Sequence, residues 1–134
     1  MTLRYMLDTN ICIFVMSGRG AALAERFERE AAGLCLSSVT LAELAYGVEK
    51  SAARARNAAA LAAFTARVAL LDFDAAAAGA YGRLRAGLER KGSVIGPYDL
   101  MIAAHAMSRG LAVVTSNRRE FDRVEGLAVE DWSA

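Results

Sequence analysis

Three acidic residues far apart in the chain, Asp8, Glu43 and Asp99, stand where carboxylates can do metal chemistry. Asp8 directly follows a short apolar run, Tyr5-Met6-Leu7, that reads as the end of a β-strand. In open α/β sheets ligands gather outside the carboxyl ends of the strands. Glu43 falls about one turn into the helix leaving a second strand, and Asp99 falls in the first turn of a helix opened by Pro97. Carboxylates drawn to one rim repel one another and lose hydration, a cost that a bound cation removes. Oxygen donors without histidine or thiolate suit Mg²⁺ or Mn²⁺ rather than zinc.

Each acid also has a local explanation. Thr40-Leu41-Ala42-Glu43 has the form of a capping box, in which the glutamate folds back to the cap nitrogen. Asp99 suits the positive end of its helix, and Asp8-Thr9-Asn10 suits a turn. Taken singly, each local reading is the more economical; taken together, the three acids favour a shared cation. The single histidine, His105, stands mid-helix among Ala103, Ala104 and Ala106 and reads as a packed or surface residue. It leaves little material for a zinc centre or a Ser-His triad.

Composition narrows the class. The chain has 134 residues, 55% of them apolar, and only one proline, which fits one compact helix-rich domain over residues 1–134. Net charge is +1, so bulk charge announces no polyanion partner. Arg83, Arg85, Arg90 and Lys91 cluster, as do Arg118, Arg119 and Arg123. Such clusters either line a nucleic-acid path or form solvated helix faces. Cys12 and Cys35 form no CxxC pair and read as reduced core thiols. That pattern, with no apolar run long enough for a membrane span and no secretory leader before Asp8, leads to the expectation of a cytoplasmic protein.

The elements that must position the acids follow from periodicity. Strands are expected at Arg4–Leu7, Leu34–Ser37, Val68–Phe73, Leu111–Thr115 and Leu127–Glu130. Between them the spacing predicts helices near Ile11–Met16, Ala21–Ala32, Thr40–Lys50 and Ala52–Arg67. Further helices are predicted from the Asp74 cap to Lys91, from Pro97 to Arg109, and as a short turn over Arg118–Asp122. Gly92 and Gly110 read as helix stops. Strands alternating with helices imply an α/β fold, a three-layer α/β/α sandwich about a central parallel sheet.

Four blocks carry a resemblance. Met6-Leu7-Asp8-Thr9-Asn10, Ser37–Leu44 with Tyr46-Gly47, Gly96-Pro97-Tyr98-Asp99, and Val113–Asn117 with Arg119-Glu120-Phe121 look like the motif series of PIN-domain toxins. More narrowly, the chain resembles the VapC ribonucleases of VapBC toxin–antitoxin modules, from the first strand to the closing Glu130-Asp131-Trp132. The resemblance implies a PIN-domain fold, Mg²⁺-dependent cleavage of RNA, a homodimer, and silencing by a VapB-like antitoxin lying over the active groove. Lys91-Gly92 shortly before Gly96-Pro97-Tyr98-Asp99 looks like the subgroup that cuts the anticodon loop of initiator tRNA. The chain departs from many PIN domains at Asn117, where a fourth acid is usual. Glu120, or less readily Asp122, is left to supply that carboxylate, which puts a second metal position in doubt.

On this reading Asp8 and Asp99 ligate the metal and Glu43 either joins them or orients the attacking water. Asn117 and Glu120 complete the catalytic set, and Thr9, Asn10, Ser38 and Thr115 contact phosphate or metal waters, unless their hydroxyls and amide serve turns and caps. Two other classes stay open: a non-catalytic partner within a DNA-binding repressor complex, and a DNA nuclease.

Overall fold

The structure is a computed structural model, and it describes residues 2–133. Five strands form one fully parallel sheet: β1 (Tyr5–Leu7), β2 (Leu34–Ser37), β3 (Ala69–Leu71), β4 (Ala112–Val114) and β5 (Val129–Glu130). Their spatial order is β3-β2-β1-β4-β5. The chain builds outward from β1 to one edge and then returns to build outward on the other side. The gap between β1 and β4 is therefore the topological switch point, where an open sheet leaves a crevice at its carboxyl edge. Asp8 and Thr115 directly follow the two strands that flank it.

Among the described residues seven α-helices connect the strands: α1 (Thr9–Met16), α2 (Ala21–Arg29), α3 (Ser38–Glu49), α4 (Arg54–Thr65), α5 (Ala75–Arg90), α6 (Pro97–Ser108) and α7 (Arg118–Phe121). Strand alternation sends side chains to two separate cores. Tyr5, Leu7, Leu34, Leu36 and Val114 pack with Ile11, Leu23, Phe27 and Phe64 on one face. Met6, Cys35, Val113 and Val129 pack with Leu88, Leu100, Ile102, Ala103, Ala106 and Phe121 on the other. Helix α3 contributes to both, through Leu44 on the first side and Val39 on the second. The expected three layers are thus present.

Several boundaries differ from the expected ones for local reasons. The second helix stops at Arg29 rather than Ala32, because Ala31–Gly33 tightens into a 3₁₀ turn before β2. Helix α3 begins at Ser38 rather than Thr40, because the Ser37 hydroxyl accepts the Val39 N–H and caps it. The capping box read into Thr40–Glu43 is therefore absent: Thr40 already lies inside the helix, and Glu43 is turned elsewhere. Strands β3, β4 and β5 are shorter than their apolar runs. The stops at α5 and α6 are as expected. Gly92 and Gly110 take φ of +66° and +68°, and the Ser93 and Leu111 amides reach back to Leu88 and Ala106.

Cys12 and Cys35 are free and buried, on opposite faces of the sheet. No described helix is long and apolar enough to cross a membrane. Phe27 stacks on Phe64 with ring centroids 5.8 Å apart and is almost wholly buried. Truncating Phe27→Ala is expected to cost about 3–5 kcal/mol of unfolding free energy, measured by urea denaturation; a loss below about 1 kcal/mol contradicts this placement of the core.

Candidate active site

Asp8 is the N-cap of α1 and is 2% exposed. Its Oδ1 accepts the Ile11 N–H at 2.9 Å, and its Oδ2 accepts the Thr115 hydroxyl at 2.5 Å. Thr115 in turn accepts the Asn117 N–H at 2.8 Å, so one threonine ties the end of β4 both to the acid and to the following loop. Burial nonetheless dominates, and with the charges of Glu43 and Asp131 nearby it raises the Asp8 carboxyl to about 6.

Glu43, half-buried on α3, accepts the Thr9 hydroxyl at 2.5 Å. That bond joins it to the residue after Asp8, across a sequence separation no local rule predicts. Asp99 enters from the first turn of α6, whose start is set by Pro97 at the first helical position. Its carboxyl is raised to about 7: burial comes first, then the charges of Glu120, Asp8 and Glu43 in that order, then hydrogen bonding with Glu120.

Glu120 reaches the same place from α7. Its Oε1 accepts the Gly96 N–H at 2.6 Å and its Oε2 accepts an Asn117 amide N–H at 2.9 Å. A Cβ on Gly96 would stand 3.3 Å from that Oε1 and 4.0 Å from Asp99 Oδ2, so the missing side chain keeps the space between these acids clear. Asp8, Glu43, Asp99 and Glu120 thus meet at one rim, at the carboxyl end of β1 and beside the switch point. Asp122 does not join them: it is exposed and pairs with Arg118 at 3.2 Å.

The remaining residues fall into three groups. Thr9 and Thr115 are at the rim, but their hydroxyls are engaged by Glu43 and Asp8. Thr115 is fully buried, which makes it a support for Asp8. Ser38 is engaged away from the acids, accepting the Phe73 N–H at 3.0 Å. Asn10 is exposed on α1 and Asn117 is exposed at the start of α7. His105 is wholly buried, and the packed reading holds. Gly96 and Asp131 lie in the blocks that carry the family resemblance but were given no role at the site from the sequence. The contact of Gly96 with Glu120 and the charge of Asp131 near Asp8 appear only in the fold.

The donor set fits a hard divalent cation. It consists of oxygens, and two of its carboxyls, Asp8 and Asp99, are driven upward by burial and by neighbouring acids, a strain that a positive charge relieves. Among the described residues no three His, Cys, Asp or Glu side chains close a shell on one ion. Mg²⁺ does not require one, since it keeps several waters and takes one or two carboxylates together with substrate phosphate.

The PIN domain family model matches residues 5–127. This chain belongs to the PIN-domain family. Among its relatives is the tRNA(fMet)-specific endonuclease VapC of Shigella flexneri, 54% identical over 131 residues, covering 98% of this chain and 99% of that protein. The ribonuclease VapC2 of Haemophilus influenzae strain ATCC 51907 is 45% identical, over 97% of this chain and 98% of its own. This PIN domain therefore falls within the VapC family of toxin nucleases. The DNA-bound VapBC structure from Salmonella typhimurium superimposes with a TM-score of 0.94 at 52% identity, covering 97% of this chain and 98% of that one. VapBC2 from Rickettsia felis bound to a promoter DNA fragment superimposes with a TM-score of 0.91 at 39% identity, over 98% and 99% of the two chains. Nucleases of this family depend on a divalent metal.

The raised carboxyls fix the sign of a pH effect. Asp8 and Asp99 hold protons in the folded chain up to about 6 and about 7, whereas the unfolded chain releases them near 3.8. Between those limits the folded state binds more protons, so raising the pH destabilises it. Without metal, the melting temperature is expected to fall from pH 4 to pH 7 more steeply in the wild type than in Asp99→Asn. Scanning calorimetry in chelator checks this, and equal slopes would show that Asp99 carries no excess repulsion.

Proposed function

We propose that this chain is the RNA-cutting toxin of a VapBC-type module, a Mg²⁺-dependent endoribonuclease whose substrate is the anticodon loop of initiator tRNA. One observation carries the reading: Asp8 and Asp99, distant in the chain, are gathered beside the switch point of the sheet, where burial raises both carboxyls and the charges of Glu120, Asp8 and Glu43 raise Asp99 further. A fold has no use for such repulsion, whereas a cation site does. The tRNA assignment is supported by the full-length likeness to a tRNA(fMet)-specific endonuclease, and Mg²⁺ (with Mn²⁺ as substitute) by the oxygen-only donors.

Asp8 and Asp99 would hold the cation directly, and Glu43 and Glu120 would complete its surroundings or accept a proton from the attacking water. When bound, such a cation acidifies that water and neutralises charge on the phosphate in an in-line displacement. The chain's own contribution is positional. Thr115 and the Ile11 N–H fix both oxygens of Asp8, Thr9 fixes Glu43, and the Gly96 N–H and Asn117 amide fix Glu120. Asn117 thus stands where the PIN-domain resemblance leads one to expect a fourth acid, and its amide orients Glu120 toward that role. The partners that accompany this reading are a VapB-like antitoxin, as in the VapBC complexes it superimposes on, and a second copy of this chain.

Initiator tRNA, an elongator tRNA and a matched DNA hairpin, each incubated with purified protein and Mg²⁺, test this, with mapping of 5′ ends. A single cut in the initiator anticodon loop is expected. Asp8→Asn and Asp99→Asn should each lower the rate by about two to three orders of magnitude, the scale of losing one preorganised electrostatic group. Cleavage of the DNA hairpin alone, or full activity in both variants, would refute the assignment.

A further inference from the structure

Glu43 and Asp99 reach the rim from different helices, α3 and α6, which pack directly on each other. Their relative placement needs something that fixes those helices in depth and rotation, and apolar packing is not directional. One polar contact joins the two: His105 Nδ1 lies 2.8 Å from Ser37 Oγ, and both residues are wholly buried. Ser37 caps α3, and Glu43 follows it by six residues. Asp99 precedes His105 by six residues on α6. Each acid therefore stands about 9 Å along its own helix from this contact.

The bond has a definite direction. Ser37 Oγ accepts the Val39 N–H at 3.1 Å and, donating its own proton to Nδ1 with the ring proton on Nε2, uses both its acceptor and its donor capacity. The reverse arrangement would leave two buried groups unpaired instead of one. Nε2 has no partner among the described residues, so the imidazole costs the fold an unpaired N–H that an apolar side chain would not. What the ring gains is at Nδ1. A third segment braces the pair: the Phe73 ring meets the imidazole edge-on with centroids 5.5 Å apart, while the Phe73 N–H donates to Ser38 at the first residue of α3.

We infer that the Ser37–His105 hydrogen bond is a pin holding α3 and α6 in the register that brings Glu43 and Asp99 to one cation. His105 is thus a positioning residue for the site. This inference rests on the metal reading above.

Mn²⁺ binding, followed by electron paramagnetic resonance on protein whose folding is checked by circular dichroism, separates this role from a merely structural one. His105→Asn places an acceptor oxygen where Nδ1 was but leaves space unfilled. It should melt earlier yet keep the Mn²⁺ dissociation constant within about twofold. His105→Leu fills the space and removes the orphaned N–H but cannot accept from Ser37. It should melt closer to wild type yet bind Mn²⁺ about tenfold more weakly, on the scale of losing an outer partner of a metal site. Ser37→Ala, which keeps the ring and removes the donor, should weaken binding like His105→Leu, and it decides the matter if His105→Asn does not fold. Wild-type affinity in both His105→Leu and Ser37→Ala overturns the pin, as does affinity that simply tracks melting temperature. Wild-type protein that binds no Mn²⁺ would overturn the metal reading itself, and the pin with it.

Discussion

The buried charge of Asp8 is the constraint from which the rest of the site follows. A carboxylate that is 2% exposed at the end of a central strand needs compensation. One backbone N–H and one hydroxyl do not supply enough of it: burial and neighbouring charge still raise the group to about 6. Among the described residues no lysine or arginine pairs with it. Instead the chain brings further acids, each oriented by its own hydrogen bond. A site that accumulates negative charge and fixes the direction of each oxygen is built for a cation, not for an ion pair.

The topology explains why the acids can meet. Reversal of strand order at β1 leaves a crevice between β1 and β4, and Asp8 and Thr115 directly follow the two strands beside it. Helices α3 and α6, which pack on each other, carry Glu43 and Asp99 to that crevice. Neither helix is placed by the crevice itself. Their placement depends on the two separate cores, and on the buried serine–histidine contact that joins them where α3 begins.

Much of this was legible in the sequence, and the limits have physical causes. Element types and order followed from apolar periodicity and from helix-start signals such as Asp74 and Pro97, because those signals are local. Strand ends did not, since the apolar runs around β3, β4 and β5 continue beyond the residues that find a ladder partner. Glu43 shows the same boundary from the other side. Its spacing from Thr40 fits a capping box, but Ser37 had already capped the helix, and the long-range bond to Thr9 decided where the carboxylate went. Glu120 was anticipated as the substitute for an acid at position 117. The means that hold it there, the Gly96 N–H and the Asn117 amide, belong to segments that only the fold brings together. Asp131 was legible only as part of the closing block and not as a site residue, because its influence on Asp8 arises from β5 lying beside β4.

The central claim is that these distant acids share one divalent ion. A crystal of the protein grown with Mn²⁺ and measured at a wavelength where manganese scatters anomalously tests it directly. The account predicts one dominant anomalous peak in contact with carboxylate oxygens of both Asp8 and Asp99. A peak at any other acidic surface, with none between those two residues at saturating Mn²⁺, would contradict it.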